Sequence, residues 1–234
     1  MKSPSKPLLL ALDSANQRCS VAVGQGGELL AHAEVEDGYR HAEMLTVLIG
    51  RVLKEVNLKL EALDGVVISS GPGSYTGLRI GASVAKGLCY GSGLPLIAID
   101  TLEMMARGYV KTHGPIQTGQ LLVPMIDARR DEVFTAVFDG DFNQRLASGA
   151  CILQPDLFKD FSGNELLFFG SGAPKFQGIF SGNGGGFEAE GHEHALHLLH
   201  AGALKFAAQQ TENVAYFKPD YRKAFFTLAK KSST

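Results

Sequence analysis

The chain moves between short unbroken apolar runs and longer stretches with an apolar residue every three or four positions. Residues 8–12, LLLAL, are apolar throughout and predict a buried strand. After the polar turn DSANQR, the segment CSVAVG predicts a second strand. ELLAHAEVE, residues 28–36, predicts a third after the turn Gly24–Gly27, so a three-stranded meander opens the chain. HAEMLTVLIGRVLKEV, residues 41–56, places Leu45, Leu48, Ile49, Val52, Leu53 and Val56 at helical spacing. LDGVVIS then predicts a strand, 76–91 a helix, PLIAID a strand and 101–110 a helix. The order βββαβαβα defines an α/β lobe with a mixed sheet.

The pattern starts again near residue 121. LLVPMIDARRDEVFTAVFDG parallels LLLALDSANQRCSVAVGQG: Asp127 stands for Asp13 and Thr135-Ala136-Val137 for Val21-Ala22-Val23, at one common offset. Strand, aspartate, turn, strand, occurring twice over such a length, implies duplicated lobes rather than a solenoid. CILQP and ELLFFG add strands. GHEHALHLLHAGALKFAAQQ predicts a helix with Ala195, Leu198, Leu199, Ala203 and Phe206 on one side. SGNGGGFEAEG, Gly-rich at 182–186, reads as a flexible connection. The lobe boundary is expected in GYVKTHGPIQTGQ, giving an N-terminal α/β lobe over 1–110 and a C-terminal α/β lobe over 111–234. Two such lobes, each opening with a hairpin that carries an aspartate, resemble the actin-like/sugar-kinase/heat-shock ATPase (ASKHA) superfold. In that superfold the first hairpin binds phosphates and the acid handles a metal.

Composition narrows the function classes. With 45% apolar and 20% charged residues the chain reads as an ordinary globular protein, and its net charge of −2 provides no global basic field for nucleic acid. Cys19, Cys89 and Cys151 are too few and too scattered for a disulfide framework or a zinc site. The N-terminal apolar run is too short for a signal h-region or a membrane span, so a cytoplasmic location is expected.

The stretch SSGPGSYTGLRIGASVAKGL, residues 69–88, carries the strongest signal. It is no Walker A loop, because the Gly-x4-Gly-Lys-Ser/Thr spacing is absent, and it holds no Gly-x-Ser-x-Gly elbow. Ser74 or Thr76 can cap the following helix, leaving two readings of the turn: a weak anion site, or a tight strand-to-helix turn that requires glycine. Asp13, Ser14, Ser74 and Thr76 form the weak nucleotide-binding set. Gly77, Gly81 and Ala85 lie four apart on one helix face. Each interior glycine costs about 1 kcal/mol relative to alanine, so close approach of something is expected. That something is either a partner's helix or this lobe's own sheet and helix 41–56. Met44 and Val47 widen the apolar arc of helix 41–56 beyond one core face, which fits burial on two sides, inside the subunit and across an interface, and equally fits burial by the second lobe.

Metal options are thin. His41 has Leu45, not a second histidine, four residues on; Glu193, His197 and His200 can share a face, but no metal is expected. The last residues carry Lys218, Arg222, Lys223, Lys230 and Lys231 against Asp220, which reads as a solvated tail or as a contact with RNA phosphates or an acidic partner.

LALDSANQRCSVAV, RHAEML, SSGPGSYTGLRIGASVAKGL, LPLIAIDTLEMMA, VPMIDARRDEVFTAVF and YFKPDYRK together resemble the TsaB (YeaZ) family, glycoprotease-like proteins of tRNA modification. The resemblance implies a two-lobed actin-like subunit without catalytic residues or cofactor, serving synthesis of threonylcarbamoyladenosine beside the anticodon. It implies pairing with the catalytic paralogue TsaD, an ATPase TsaE that binds the pair, a homodimer when alone, and tRNA contact made indirectly or through the basic tail. The implied interface comprises His41, Met44, Leu45, Val47, Leu48, Gly73, Tyr75, Gly77, Gly81 and Ala85, so that Gly81→Leu is expected to abolish pairing and leave the lobe folded. Ser14-Ala15 departs from the commoner Thr-Ser/Thr pair and weakens a nucleotide role for Asp13. The competing readings are a nucleotide-dependent kinase or ATPase of the same superfold and, more distantly, a metallopeptidase using His41 or the histidines at 192–200.

Overall fold

The computed structural model describes residues 6–36, 41–182 and 185–222. Its elements are β1 (Leu8–Asp13), β2 (Arg18–Gln25), β3 (Glu28–Glu36), α1 (His41–Glu55), β4 (Gly65–Ser69), α2 (Tyr75–Ser92), β5 (Leu96–Ile99) and α3 (Thr101–His113). They continue with β6 (Gln120–Asp127), β7 (Glu132–Phe138), β8 (Gln144–Ile152), β9 (Glu165–Phe169), α4 (Ala173–Gln177), β10 (Gly186–Glu188) and α5 (Leu198–Ala207).

The strands make two five-stranded sheets, ordered β3-β2-β1-β4-β5 and β10-β9-β6-β7-β8. In each, the first three strands in sequence are an antiparallel meander and the next two add in parallel beside the first. The duplication expected from the repeated strand–aspartate–turn–strand pattern is therefore present as matching topology, and the fold is the two-lobed actin-like one.

β1 is apolar from Leu8 to Leu12 because both faces of its sheet are covered. Leu10 and Leu12 point to a core shared with Leu45, Leu48, Ile49 and Val52 of α1 and Ala82 and Ala85 of α2. Leu9 and Ala11 point the other way, to Leu198, Leu199 and Ala201 of α5. The second sheet has Leu102, Met105 and Ala106 of α3 on one face. Its other face holds a phenylalanine cluster, with Phe158, Phe168 and Phe176 mutually 5.3–5.5 Å apart.

The long helices thus cross over. α3 follows the first sheet in sequence but covers the second, whereas α5 follows the second and covers the first. Residues 1–110 and 111–234 remain a proposed division, and each sheet's cover crosses it.

Several boundaries differ from the sequence reading. The helix predicted over 191–210 starts late: 191–194 is irregular, a 3-10 turn spans Ala195–His197, and α5 follows. His192 takes φ 55°, and the segment lies so close to α3 that a side chain at Gly108 would strike it. β8 begins at Gln144, ahead of CILQP; it is an edge strand with a largely exposed polar sequence, which hid its hydrophobic period. The Gly-rich connection contains β10. Among the described residues no helix is long and apolar enough to cross a membrane.

Candidate functional site

In α/β sheets, ligands bind at the carboxyl ends of the parallel strands. Here that edge carries Asp13 at the end of β1, Ser69 and Ser70 at the end of β4, and Asp100 after β5. Asp13 is fully buried. Its Oδ1 accepts from the Ser69 hydroxyl at 2.5 Å and from the Ala15 N–H at 3.1 Å. Glu193 lies within electrostatic reach of it: burial, with the charge of Asp13 adding, pushes the Glu193 carboxyl up to about 7. Burial and then Asp13 likewise push the Cys19 thiol up to about 12.

The other side of this edge holds the segment after Phe217. Asp220 N–H donates to the Ser70 carbonyl at 2.8 Å. Arg222 pairs with Asp100 at 2.9 Å and Asp220 at 2.7 Å, and donates to the Ser148 carbonyl on β8. Arg222 is thereby a clamp across the two sheets rather than part of a free basic tail. Lys218 is exposed; Lys223, Lys230 and Lys231 lie outside the described residues.

The glycine turn packs on the chain itself. The Gly71–Pro72 peptide is cis, and Gly71 has φ 108°. A Cβ there would strike the Asp220 carbonyl; one at Gly73 the Ala15 carbonyl; one at Gly77 the Ser14 carbonyl; one at Gly81 the Ser14 hydroxyl. The Ser14 hydroxyl donates to the Gly77 carbonyl at 2.9 Å. Gly71 and Thr101 exchange bonds of 2.8 and 3.1 Å, joining the turn to α3. Ser74 rather than Thr76 caps α2, accepting from Gly77 N–H at 3.3 Å. The small stripe Gly77-Gly81-Ala85 is therefore internal: it lets α2 lie on the end of β1, and Ala85 is fully buried. Leu45 and Leu48 are core residues for the same reason, filling the space between α1 and the sheet. These five positions expected at an interface do not face solvent.

What α1 and α2 do present outward is different. Val47 is 57% exposed and Tyr75 39%, with Met44 half-buried, and Tyr90 near the end of α2 is 87% exposed. Gly50, Gly87 and Gly91 face open space. Tyr75 stacks obliquely on Tyr221 at 4.7 Å. The His41 side chain lies outside the described residues.

Asp127 occupies the position of Asp13 in the second sheet but is exposed. Desolvation pulls its carboxyl up, and Lys175 at 2.7 Å with the Arg129 N–H at 2.7 Å outweighs this, leaving it below the usual range. Its own N–H donates to Ser171 at 3.1 Å, in the turn Gly170-Ser171-Gly172 that sequence reasoning passed over.

The Glu193, His197 and His200 face does not form. Glu193 lies within electrostatic reach of Asp13, the His197 ring bonds the His192 carbonyl at 2.8 Å, and His200 is exposed beside Gly27. Burial lowers His197 to about 4. His113, Glu188 and His192 converge instead; His113 lies too far along the chain for local spacing to reveal it.

Two sheets of identical order, each opening with an aspartate-bearing hairpin, place the chain in the actin-like class. The family model for tRNA N6-adenosine threonylcarbamoyltransferase (TsaD) matches residues 36–164, more than half of the chain. The TsaB biosynthesis protein of Escherichia coli K12 is 34% identical over 135 residues, 58% of this chain and 56% of that protein. The TsaB of Haemophilus influenzae Rd is 36% identical over 126 residues, 54% of this chain and 51% of that one. A Pseudomonas aeruginosa crystal structure, described as similar to peptidase YeaZ, superposes with TM-score 0.80 at 26% identity, covering 93% of this chain and all of that one. The chain belongs to the TsaB (YeaZ) family. It spans about half the length of the curated relatives it matches.

Proposed function

We propose that this chain is a non-catalytic partner subunit in the formation of threonylcarbamoyladenosine on tRNA, holding a TsaD-like catalytic paralogue in its active state. One observation carries the reading: the edge where this fold binds ligands is filled by the chain's own groups. Glu193 sits by Asp13, Arg222 is bonded to Asp100, and the glycine turn is packed on Ser14, Ala15 and Asp220. A phosphate entering there would meet the Asp13 carboxylate and displace the Arg222 clamp. The glycine turn stabilises a close joint between β1 and α2, and Asp13 is the buried acceptor that fixes it.

The partner surface is then the outward face of α1 and α2, centred on Val47, Met44, Tyr75 and Gly73 and extended by the open Gly50, Gly87 and Gly91. His41 is kept as a candidate at its edge. Leu45, Leu48, Gly77, Gly81 and Ala85 support this face from beneath. The same face serves a homodimer when the paralogue is absent. A TsaE-like ATPase joins the pair, tRNA is reached through the paralogue or the basic segment, and the setting is the cytoplasm.

Native mass spectrometry of the chain co-expressed with a TsaD paralogue tests this. A one-to-one complex is expected, lost in Val47→Asp while that variant's melting temperature stays unchanged. Undiminished pairing of Val47→Asp places the interface elsewhere. ATP turnover by the chain alone overturns the non-catalytic assignment in favour of the kinase reading.

A further inference from the structure

His113 ends α3, Glu188 ends β10, and His192 follows on the irregular segment that leads to α5. One donor atom from each lies within 4.8 Å of the others. His113 Nε2 stands 3.4 Å from Glu188 Oε2, and His192 Nε2 stands 3.2 Å from Glu188 Oε1.

The second nitrogen of each ring fixes the protonation pattern. His113 Nδ1 faces the Tyr109 carbonyl at 3.1 Å. A carbonyl only accepts, so Nδ1 carries the hydrogen. His192 Nδ1 faces the Thr112 hydroxyl at 3.4 Å, and that hydroxyl donates its single proton to the Gly108 carbonyl at 3.1 Å. The hydroxyl oxygen therefore accepts from His192 Nδ1. In their neutral forms both rings then aim an Nε2 lone pair at the Glu188 carboxylate. Three acceptors then converge, and the repulsion is relieved by a proton on Nε2, which turns the His192–Glu188 contact into a hydrogen bond, or by a metal ion.

The cation is a proton on each ring or a metal ion. His192 is 3% exposed, with the Tyr109 and His113 rings edge-on at 5.6 and 5.5 Å and Phe169 at 6.1 Å. Aromatic walls of this kind do not solvate an imidazolium. A metal shares its charge with the carboxylate and three donors instead.

We propose that His113, Glu188 and His192 form a binding site for a zinc-class divalent transition-metal ion. Zinc bonds of about 2.0–2.2 Å in tetrahedral geometry put neighbouring ligand atoms roughly 3.3–3.6 Å apart; the nitrogen–oxygen separations, 3.4 Å to Oε2 and 3.2 Å to Oε1, lie close to that range, each to a different oxygen of the carboxylate. Two imidazoles and one carboxylate favour zinc or a neighbouring transition metal over magnesium or calcium. The Tyr109 carbonyl and the Thr112 hydroxyl hold the rings as outer-shell partners of metal-bound histidines commonly do. His113 is 41% exposed, so the fourth position opens to water. The ion would tie the end of α3, which covers the second sheet, to the strap that carries Glu193 and delivers α5 to the first. It is a staple at the crossing of the two helices, independent of the partner surface on α1 and α2.

The test uses the full chain, stripped with chelator and titrated with Zn²⁺ by calorimetry, with Co²⁺ as a spectroscopic reporter. One saturating equivalent is expected, with a visible Co²⁺ d–d band and a zinc-dependent rise in melting temperature. His113→Ala and Glu188→Gln, both at partly exposed positions, should each weaken Zn²⁺ binding at least tenfold and abolish the band, whereas His200→Ala should leave both unchanged. Failure to saturate at one equivalent overturns the site. So does binding that neither His113→Ala nor Glu188→Gln weakens, which would leave the triad an ion pair of the Glu188 carboxylate.

Discussion

Asp13 and Asp127 close the first strand of two sheets with the same strand order, yet their surroundings are opposed. Asp13 is fully buried, bonded to Ser69 and the Ala15 N–H, with Glu193 close by. Asp127 is exposed and paired with Lys175. The coverings differ in the same sense. The first sheet carries α1, α2 and α5, while the second carries α3, the short α4 and a phenylalanine cluster. Duplication preserved the strands, which the backbone hydrogen bonds require, and released the loops at their carboxyl ends. The first lobe spent its glycines and hydroxyls there on a tight joint; the second kept an open turn. A fold that elsewhere grips a ligand between two such ends here has one end closed by its own chain.

The largest break in that comparison comes from the joint itself. Gly77→Leu drives a side chain into the Ser14 carbonyl, backbone that cannot yield without moving β1. A loss of more than about 3 kcal/mol is expected in urea unfolding, with unfolding preceding any defect in pairing. Gly81→Leu meets the Ser14 hydroxyl and should behave alike, where the small stripe read in isolation suggested a folded, unpaired variant.

The aspartates themselves come next. Asp13→Ala strands the Ser69 hydroxyl and Ala15 N–H inside the first lobe, at about 1–3 kcal/mol. Asp127→Ala removes a solvent-screened pair with Lys175 and costs below about 1 kcal/mol. Chemical denaturation of the two variants side by side measures the asymmetry; equal losses would mean that the burial of Asp13 contributes nothing.

A smaller, pH-dependent effect sharpens the same contrast. Glu193 holds its proton to about pH 7 when folded, whereas an unfolded glutamate releases it near 4.3. Between those values the folded chain binds more protons, so this group's contribution to stability falls as pH rises. His197 acts oppositely: folded it stays neutral down to about 4, so stability is lost as pH falls from roughly 6.5. The two slopes offset one another in the native chain. Glu193→Gln removes the first, and its stability should climb between pH 4 and 6.5 and exceed the native chain's at pH 7.5, by roughly 1–2 kcal/mol. A profile parallel to the native one would mean that Glu193 is ionised beside Asp13 throughout.

Much of this was legible in the sequence, and the failures share a cause. β1, β2, β4, α1 and α2 follow from apolar runs and helical periods, and the repeat around Asp127 disclosed the duplication. Periodicity reports that a face is covered but not by what. Gly77, Gly81 and Ala85 correctly announced a close approach, and only the fold shows that Ser14, distant in sequence, is what approaches. The crossing of α3 and α5, the Arg222 clamp and the meeting of His113 with Glu188 and His192 arise from contacts between remote segments, to which no local pattern points.

Gly87 supplies the finest test, because it shares α2 with Gly77 and Gly81 but faces open space. An interior helical glycine costs up to about 1 kcal/mol relative to alanine, and nothing among the described residues compensates for it here. Gly87→Ala should therefore raise the stability of the isolated chain by roughly 0.5–1 kcal/mol, the reverse of Gly77→Leu on the same helix. If the outward face of α2 receives a partner's helix, a larger side chain at this position separates the two backbones. Gly87→Leu should then weaken pairing in a titration with the paralogue while its thermal melt stays at or above the native value. Gain of stability with loss of pairing divides α2 into an inner face that closes the first lobe and an outer one that serves the partner. Gain of stability with undiminished pairing would leave Gly87 outside the interface and move its centre toward Val47 and Tyr75.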